Sequence, residues 1–399
     1  MPKDIIVHTS LNSRSRPAES LSILVLQTDR EIPLHTFRNA DDMLTIPNHE
    51  EGCNDPNNCK CPMFYNNNSI AYQQVKAMFN QGGTLASSLI RRVKVAGIDG
   101  GALPAAGADA EELGKARKAL IDAIEEFRAE VDDDWYVLIT DRTDANSITA
   151  LSELAYKSEP TLAQLNTGEP DNRKLYFCQA PKAEVFVNAT SSELALDPKF
   201  GRSAGMVAAD SERPGGEQTA AAYIGNVGPF YPESVTWKFK RPDGIELPDL
   251  SRTQREELEC NNWNYLASEY GNEYMKNGTM FDGEFIDNVL GADWITQDMR
   301  NRLYQVFMQN PNIDYTDEGF ALVSAAVVET LNQAVVHKII ARDPESGAGV
   351  FTVVTPTRDE ATDDQARNRE LPPIYWDAQF AGAVHSAKTN GVLHATLPN

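Results

Sequence analysis

Cysteine, histidine and basic residues are all scarce in this chain. Five cysteines in 399 residues are too few, and odd in number, for a disulfide scaffold, so reduced thiols are expected. The six histidines (His8, His35, His49, His337, His385 and His394) are scattered, and their spacing suggests neither a catalytic dyad nor a metal triad. Lys and Arg number 36 against 58 Asp and Glu, a net charge of −22 that divides as −11 on each side of Leu250. No cationic cluster is present to neutralise phosphates, so direct nucleic-acid binding is not expected. No apolar run approaches the roughly 18 residues needed to span a bilayer, so no membrane insertion is expected either. Met1-Pro2-Lys3-Asp4 leads into an apolar stretch that turns polar too soon for a secretory signal. No internal repeat is visible. What remains is an ordinary globular composition, 41% hydrophobic and 24% charged, with length for two or three domains.

Both ends of the chain read as short strands with no evident partner. Asp4 to Leu11 is β-branched and apolar, and Asn12-Ser13-Arg14-Ser15-Arg16-Pro17 cuts it off from the rest of the chain. Gly391 to Leu397 is a second such run, two residues from Asn399. Strand-forming segments carry N–H and C=O groups that need a ladder, whereas loose termini are usually polar. Ile5, Ile6, Val7, Thr9 and Leu11, with Val392, Leu393, Ala395 and Leu397, are therefore candidates for strand contacts between subunits. An edge strand folding back on its own sheet is the plainer alternative. Asn390-Gly391 is a strong hairpin signal, so Val392–Leu397 could pair with Val384–Thr389 as a platform that the N-terminal arm of a neighbour completes.

Between the ends, patterning predicts an α/β layer followed by an α+β region. Strands are expected at Leu21–Leu26, Ile90–Ala96, Trp135–Thr140, Lys174–Cys178 and Glu184–Val187. Helices are expected at Ile70–Phe79, Asp109–Glu130 and Ala145–Tyr156, the second from the stripe Leu113, Leu120, Ile121, Ile124 and Phe127. Alternation at Val235–Lys240 predicts a strand, followed by a turn at Arg241-Pro242-Asp243-Gly244. Ser251-Arg252-Thr253-Gln254 matches a capping box. Helices come next near 254–258, 293–309 and 317–337, the last apolar around most of its circumference. Strands at Gly349–Thr355 and Ile374–Ser386 close the region. The expected division is an arm at 1–17, an α/β domain at 18–230, a C-terminal α+β domain at 231–387 and a terminal strand at 388–399.

Candidate chemistry is sparse. Gly201-Arg202-Ser203-Ala204-Gly205 matches the nucleophile-elbow pattern, but Asp197-Pro198-Lys199-Phe200 is no strand to lead into it, and a Gly-rich loop is expected. Gly97-Ile98-Asp99-Gly100-Gly101 sits between a strand and a helix, where a phosphate loop would be, with Asp141 as an acidic partner; its spacing departs from G-x-G-x-x-G. Cys53, Cys59 and Cys61 share a 13-residue stretch with His49. Gaps of five and one residue fit structural zinc poorly, so a surface loop with reduced thiols is the default over a metal site. Asp132-Asp133-Asp134 reads as a solvated helix end.

From about Ala220 the chain resembles the tail sheath proteins of contractile-tailed bacteriophages. The resemblance is carried by Ala221-Ala222-Tyr223-Ile224-Gly225, Tyr231–Lys240 and Asp243-Gly244-Ile245. It continues through Asn261–Tyr265, Asn277–Asp287, Gly291–Ile295 and Ile313–Gly319, and ends with Leu371–Ile374 and Phe380–His385. These segments cover most of residues 220–390 in order; the N-terminal part matches by rhythm alone, and the Cys53–Cys61 stretch departs from the family. The resemblance implies a structural protein, not an enzyme, with no cofactor. Six copies would form a ring around a tail tube, rings would stack helically, and terminal arms would add strands to neighbours. Implied partners are further copies of the chain, the tail tube protein, and baseplate and tail terminator proteins. The implied location is the phage tail, assembled in the host bacterial cytoplasm. Two other readings stand beside it: a nucleotide- or flavin-binding α/β enzyme, and another self-assembling virion or baseplate component.

Overall fold

The apolar runs around residues 23, 137, 175 and 203 form the centre of one sheet. The computed structural model describes residues 21–47, 63–82, 90, 92–105, 107–160, 172–185, 197–211, 216–230, 232 and 234–387. Its strands are β1 (Ile23–Gln27), β2 (Asp29–Phe37), β3 (Val93–Asp99), β4 (Val137–Thr140), β5 (Leu175–Pro181), β6 (Ser203–Ala208), β7 (Asn264–Glu269) and β8 (Asn272–Met275), in the order β2-β3-β1-β4-β5-β6-β7-β8. From β3 through β7 in that order neighbours pair in parallel, and β2 and β8 close the edges antiparallel.

Side chains alternate between the two faces, as the two-residue period of a strand requires. Ile23, Val25, Val137, Ile139, Leu175 and Phe177 point into one core with helices α1 (Ile70–Phe79) and, after two further helices and a single-turn one, Thr219–Val227. Leu24, Leu26, Leu138, Tyr176 and Cys178 point into the other, with α2 (Ala110–Glu130) and α3 (Ala145–Lys157). Burial on both faces is why these strands read as continuous apolar runs. The remaining helices are α4 (Lys182–Val185), α5 (Thr219–Val227), α6 (Arg252–Cys260), α7 (Ile286–Gln309), α8 (Asp317–Val336) and α9 (Asp363–Asn368). Capping boxes open α2 at Asp109 and α6 at Ser251, as the sequence predicts for the latter.

α7 joins two cores. Its first turns place Ile286 and Leu290 against the sheet. Its continuation, Trp294, Ile295, Met299 and Leu303, packs with α8 and with Ile339 and Ile340. Strands β9 (Phe351–Val354) and β10 (Tyr375–Ala378) form a separate two-stranded antiparallel sheet against that second core. By length and composition α8 could cross a membrane, contrary to the sequence reading that no stretch approaches that length; here 56% of its apolar window is buried inside the fold, as a core helix would be.

Several expectations give way. The sheet runs on to Met275, past the division expected at residue 230, because β7 pairs directly with β6. Glu184–Val185 lies in the single helical turn α4 instead of a strand. Gly201–Gly205 is no loop: from Ser203 it is the buried strand β6. Val235–Lys240 alternates but is not a strand. Trp237 turns inward onto Phe177 and Tyr223, at ring distances of 5.4 and 5.0 Å, and Phe239 takes a left-handed φ of 64°. The strand expected over Ile374–Ser386 is regular only across Tyr375–Ala378.

Candidate functional site

The positions with catalytic patterning are used for packing. Ser203 is fully buried, and its hydroxyl has no hydrogen-bond partner. A Cβ on Gly205 would lie 2.3 Å from the Phe281 ring and 2.7 Å from Trp263, so glycine there lets two aromatics meet the sheet. Gly97 likewise lies within β3, where a Cβ would stand 2.4 Å from the Arg30 carbonyl of β2. In open α/β sheets a ligand crevice forms where strand order reverses, here beyond the ends of β1 and β4. Protein fills it: Asp141 Oδ1 accepts from the Thr28 hydroxyl (2.8 Å) and amide (3.1 Å). Arg142 crosses the same point to the Thr28 hydroxyl (2.5 Å) and the Gly101 carbonyl (2.6 Å). Burial drives the Asp141 carboxyl above its ordinary range, only partly countered by the Thr28 hydrogen bonds. Among the described residues no group of three or more His, Cys, Asp or Glu could hold a metal. His49, Cys53, Cys59 and Cys61 lie outside them.

The opposite end of the sheet is tied by charge. Asp132–Asp134 is not the solvated helix end expected. Lys94 reaches Asp132 at 2.7 Å, and Asp133 lies 2.9 Å from Arg128 and 3.1 Å from Lys174. Burial pulls the Lys174 ammonium down to about 8, although Asp133 opposes it. Burial raises the Asp133 carboxyl, and Arg128 and Lys174 outweigh it, so the net shift is downward. Nearby, Asp293 of α7 is clamped at the starts of three strands: Tyr136 donates to it at 2.5 Å, Arg202 lies at 2.7 Å and Arg173 at 3.3 Å. Removing one partner of such a buried set is costly because a charge is left without its counterion. This network fixes α7 to the sheet.

A surface suited to a macromolecular partner lies on the C-terminal unit. In the β9–β10 sheet, Phe351 and Val353 face α8 across from Ala378 and Trp376. Their neighbours face outward: Val354 and Tyr375, paired with each other, are 60% and 68% exposed, and Thr352 pairs with Asp377. One end is closed by Ile339–Arg342, where Ala341 donates to Gln379 and accepts from Val350. Among the described residues no third strand pairs with either long edge. A two-stranded sheet is marginal alone, and an open edge presents unpaired N–H and C=O groups to any incoming strand. Sequence reasoning located β9 and the start of β10 but did not single out Val354 or Tyr375. Isolated apolar residues on strands separated by a 20-residue excursion give no sign that they share a face.

The residues proposed from sequence for strand exchange, Ile5, Ile6, Val7, Thr9, Leu11, Val392, Leu393, Ala395 and Leu397, lie outside the described residues. So does most of the hairpin expected at Asn390-Gly391; of its inner strand the structure describes Val384–Ala387, which pairs with no strand among the described residues, with Val384 86% exposed.

No family model matches the chain, and no curated protein matches it. Solved structures do. A chain in the cryo-EM structure of the contracted sheath complex of the extracellular contractile injection system PVC is 13% identical, with 99% of this chain and 98% of that one aligned at a TM-score of 0.58. A chain of the six-fold symmetrised anti-feeding prophage baseplate structure is 14% identical over 96% and 98%, at 0.56. The sheath tail protein of Desulfitobacterium hafniense is 10% identical over 86% and 92%, at 0.50. At such identities the likeness is one of fold, and it extends over nearly the whole of each chain. The fold is that of contractile sheath proteins.

Proposed function

We propose that this chain is the structural subunit of a contractile tail sheath, polymerising as stacked hexameric rings around a tail tube and contracting to drive the tube through a host envelope. The observation that carries the reading is the β9–β10 sheet, whose long edges no other strand covers among the described residues, in a fold shared end to end with sheath proteins. The terminal runs 4–11 and 392–397 supply strands for those edges, Ile5, Ile6, Val7, Thr9 and Leu11 from one copy and Val392, Leu393, Ala395 and Leu397 on the accepting side. Each backbone hydrogen bond adds on the order of 1 kcal/mol net, so one strand contributes a few, and a lattice of many copies stays joined while its bodies rotate. The tube protein, baseplate and tail terminator are the remaining partners, and the location is the virion or a related particle, assembled in the bacterial cytoplasm. The protein-filled crevice at Thr28, Asp141 and Arg142 weighs against the nucleotide- or flavin-binding enzyme. A baseplate component is the second reading, since one structural neighbour comes from a baseplate structure; copy number per particle separates the two.

Negative-stain microscopy of the concentrated protein is expected to show rings or hollow tubes, and deletion of residues 1–12 to leave a folded monomer that forms neither. A persistent monomer from the full chain would sink the reading, and normal tubes from the truncated one would remove the arm from it.

A further inference from the structure

Among the described residues, the segment that leads from β10 toward the C-terminus is held by one side chain. After Ala381, whose amide donates to Ile339 at 2.9 Å, every residue from Gly382 to Ala387 is exposed except His385. That imidazole leaves the β9–β10 unit and enters the sheet-bearing part of the molecule. Phe285, the N-cap of α7, meets it edge-on at 4.7 Å, Phe239 meets it edge-on at 6.2 Å, and its Nε2 is 2.7 Å from the Thr236 hydroxyl. Two rings and one hydroxyl, from two separate elements, make a socket for a neutral imidazole.

The socket is hostile to an imidazolium. From the 236–240 segment, Lys238 and Lys240 face it and repel a positive charge. From the start of α7 come Glu284 and Asp287, of which Asp287 is buried, interacts with Lys240 and is itself pushed up to about 6 by burial. Behind Phe239, Tyr274 of β8 and Lys276 complete the surroundings, and Lys276 is already paired with Glu269. Burial first, then the two lysines, lower the affinity of His385 for a proton. A group whose docked pKa is depressed holds its position above its free value of about 6.5 and loses it as pH falls through the docked value. Asp287 gives up its negative charge in the same interval, so it ceases to offset Lys240.

We propose that His385 is a protonation-controlled clasp: neutral, it seats the C-terminal segment against Phe239, Phe285 and Thr236, and protonated, it releases it. The docked fraction relative to the free one falls by up to about tenfold for each pH unit between the free and docked pKa values. Use of the released segment in exchange between subunits rests on the sheath reading; the clasp itself does not.

The test is a pH titration of the full-length chain by NMR with histidine labelled at Cε1, His385 being the signal lost in H385Q. At pH 7.5 its shift is expected to be displaced from the free-histidine position by the two phenyl rings, to titrate with a midpoint below 6.5, and to end at the free imidazolium position. In F285L and in F239L the midpoint is expected to rise toward 6.5. A midpoint at or above 6.5, a protonated signal that keeps its ring-induced displacement, or a midpoint unmoved by both substitutions would overturn the clasp. Failure of the protein to polymerise would leave these readouts intact, so the two ideas fail separately.

Discussion

Asp287 sits in the first turn of α7 with almost no exposure, and one carboxylate oxygen has no hydrogen-bond partner. Burial, with Glu284 adding to it, pushes the carboxyl up to about 6; its own amide and Lys240 pull the other way. Because the folded value exceeds the unfolded one, this group contributes stability that is fully present below about pH 4 and is lost as pH rises through 6. Asp287→Asn is therefore expected to raise stability at pH 7.5 by on the order of 2 kcal/mol. The gap should close as pH falls to 4. Thermal melts of both proteins across that range measure it, and an equal or lower melting temperature for the variant at pH 7.5 would refute the assignment. Nothing in the sequence marks this carboxylate. Sequence patterning starts this helix only near residue 293, so Asp287 is not placed on it, and it is the fold that buries the carboxylate and brings Tyr223 and Lys240 near it. The loop expected at Gly201–Gly205 failed for a related reason: glycine content does not show that Ser203 begins a strand buried on both faces.

Among the elements, those with strong periodicity were legible: α1 spans the very residues expected, and α2, α3, α8 and strands β1, β3, β4 and β5 fall within a few residues of expectation. The misses share a cause. β2 is an edge strand carrying Pro33, charged residues and two register shifts, so it looks like loop. The β7–β8 hairpin turns through Tyr270 and Gly271, both at positive φ (51° and 81°), a geometry that sequence reading associates with Asn-Gly. The open β9–β10 sheet was half visible, since the position of its strands could be read but not the identity of its outward face. That face supplies a direct test. Val354→Lys with Tyr375→Lys substitutes exposed positions, so the melting free energy is expected to change by less than about 0.5 kcal/mol. Polymerisation should be abolished, because lysine on an open sheet opposes strand addition and stacking. Tubes of normal length from this double variant would remove the outer face of β9–β10 from the assembly surface.

For the whole molecule the dominant fact is charge. Every copy carries −22, and assembly brings like charges within a Debye length of one another, about 10 Å at 0.1 M salt. Raising sodium chloride from 20 to 300 mM is expected to lower the concentration at which polymer forms by at least about tenfold, read by sedimentation. A critical concentration that rises with salt would show instead that opposite charges dominate the contact.

The Asp293 tie gives α7 a mechanical character. At 1.5 Å per residue, about 10 Å of the helix lies before Asp293, against the sheet, and about 24 Å beyond it, inside the C-terminal unit. The carboxylate gripped by Tyr136, Arg173 and Arg202 is thus the fulcrum of a lever with unequal arms. A tilt of about 5° at that point carries the far tip of α7 through about 2 Å while its root moves less than half as far. Small strains at the start of the helix therefore emerge enlarged at its far tip, beside the start of α8.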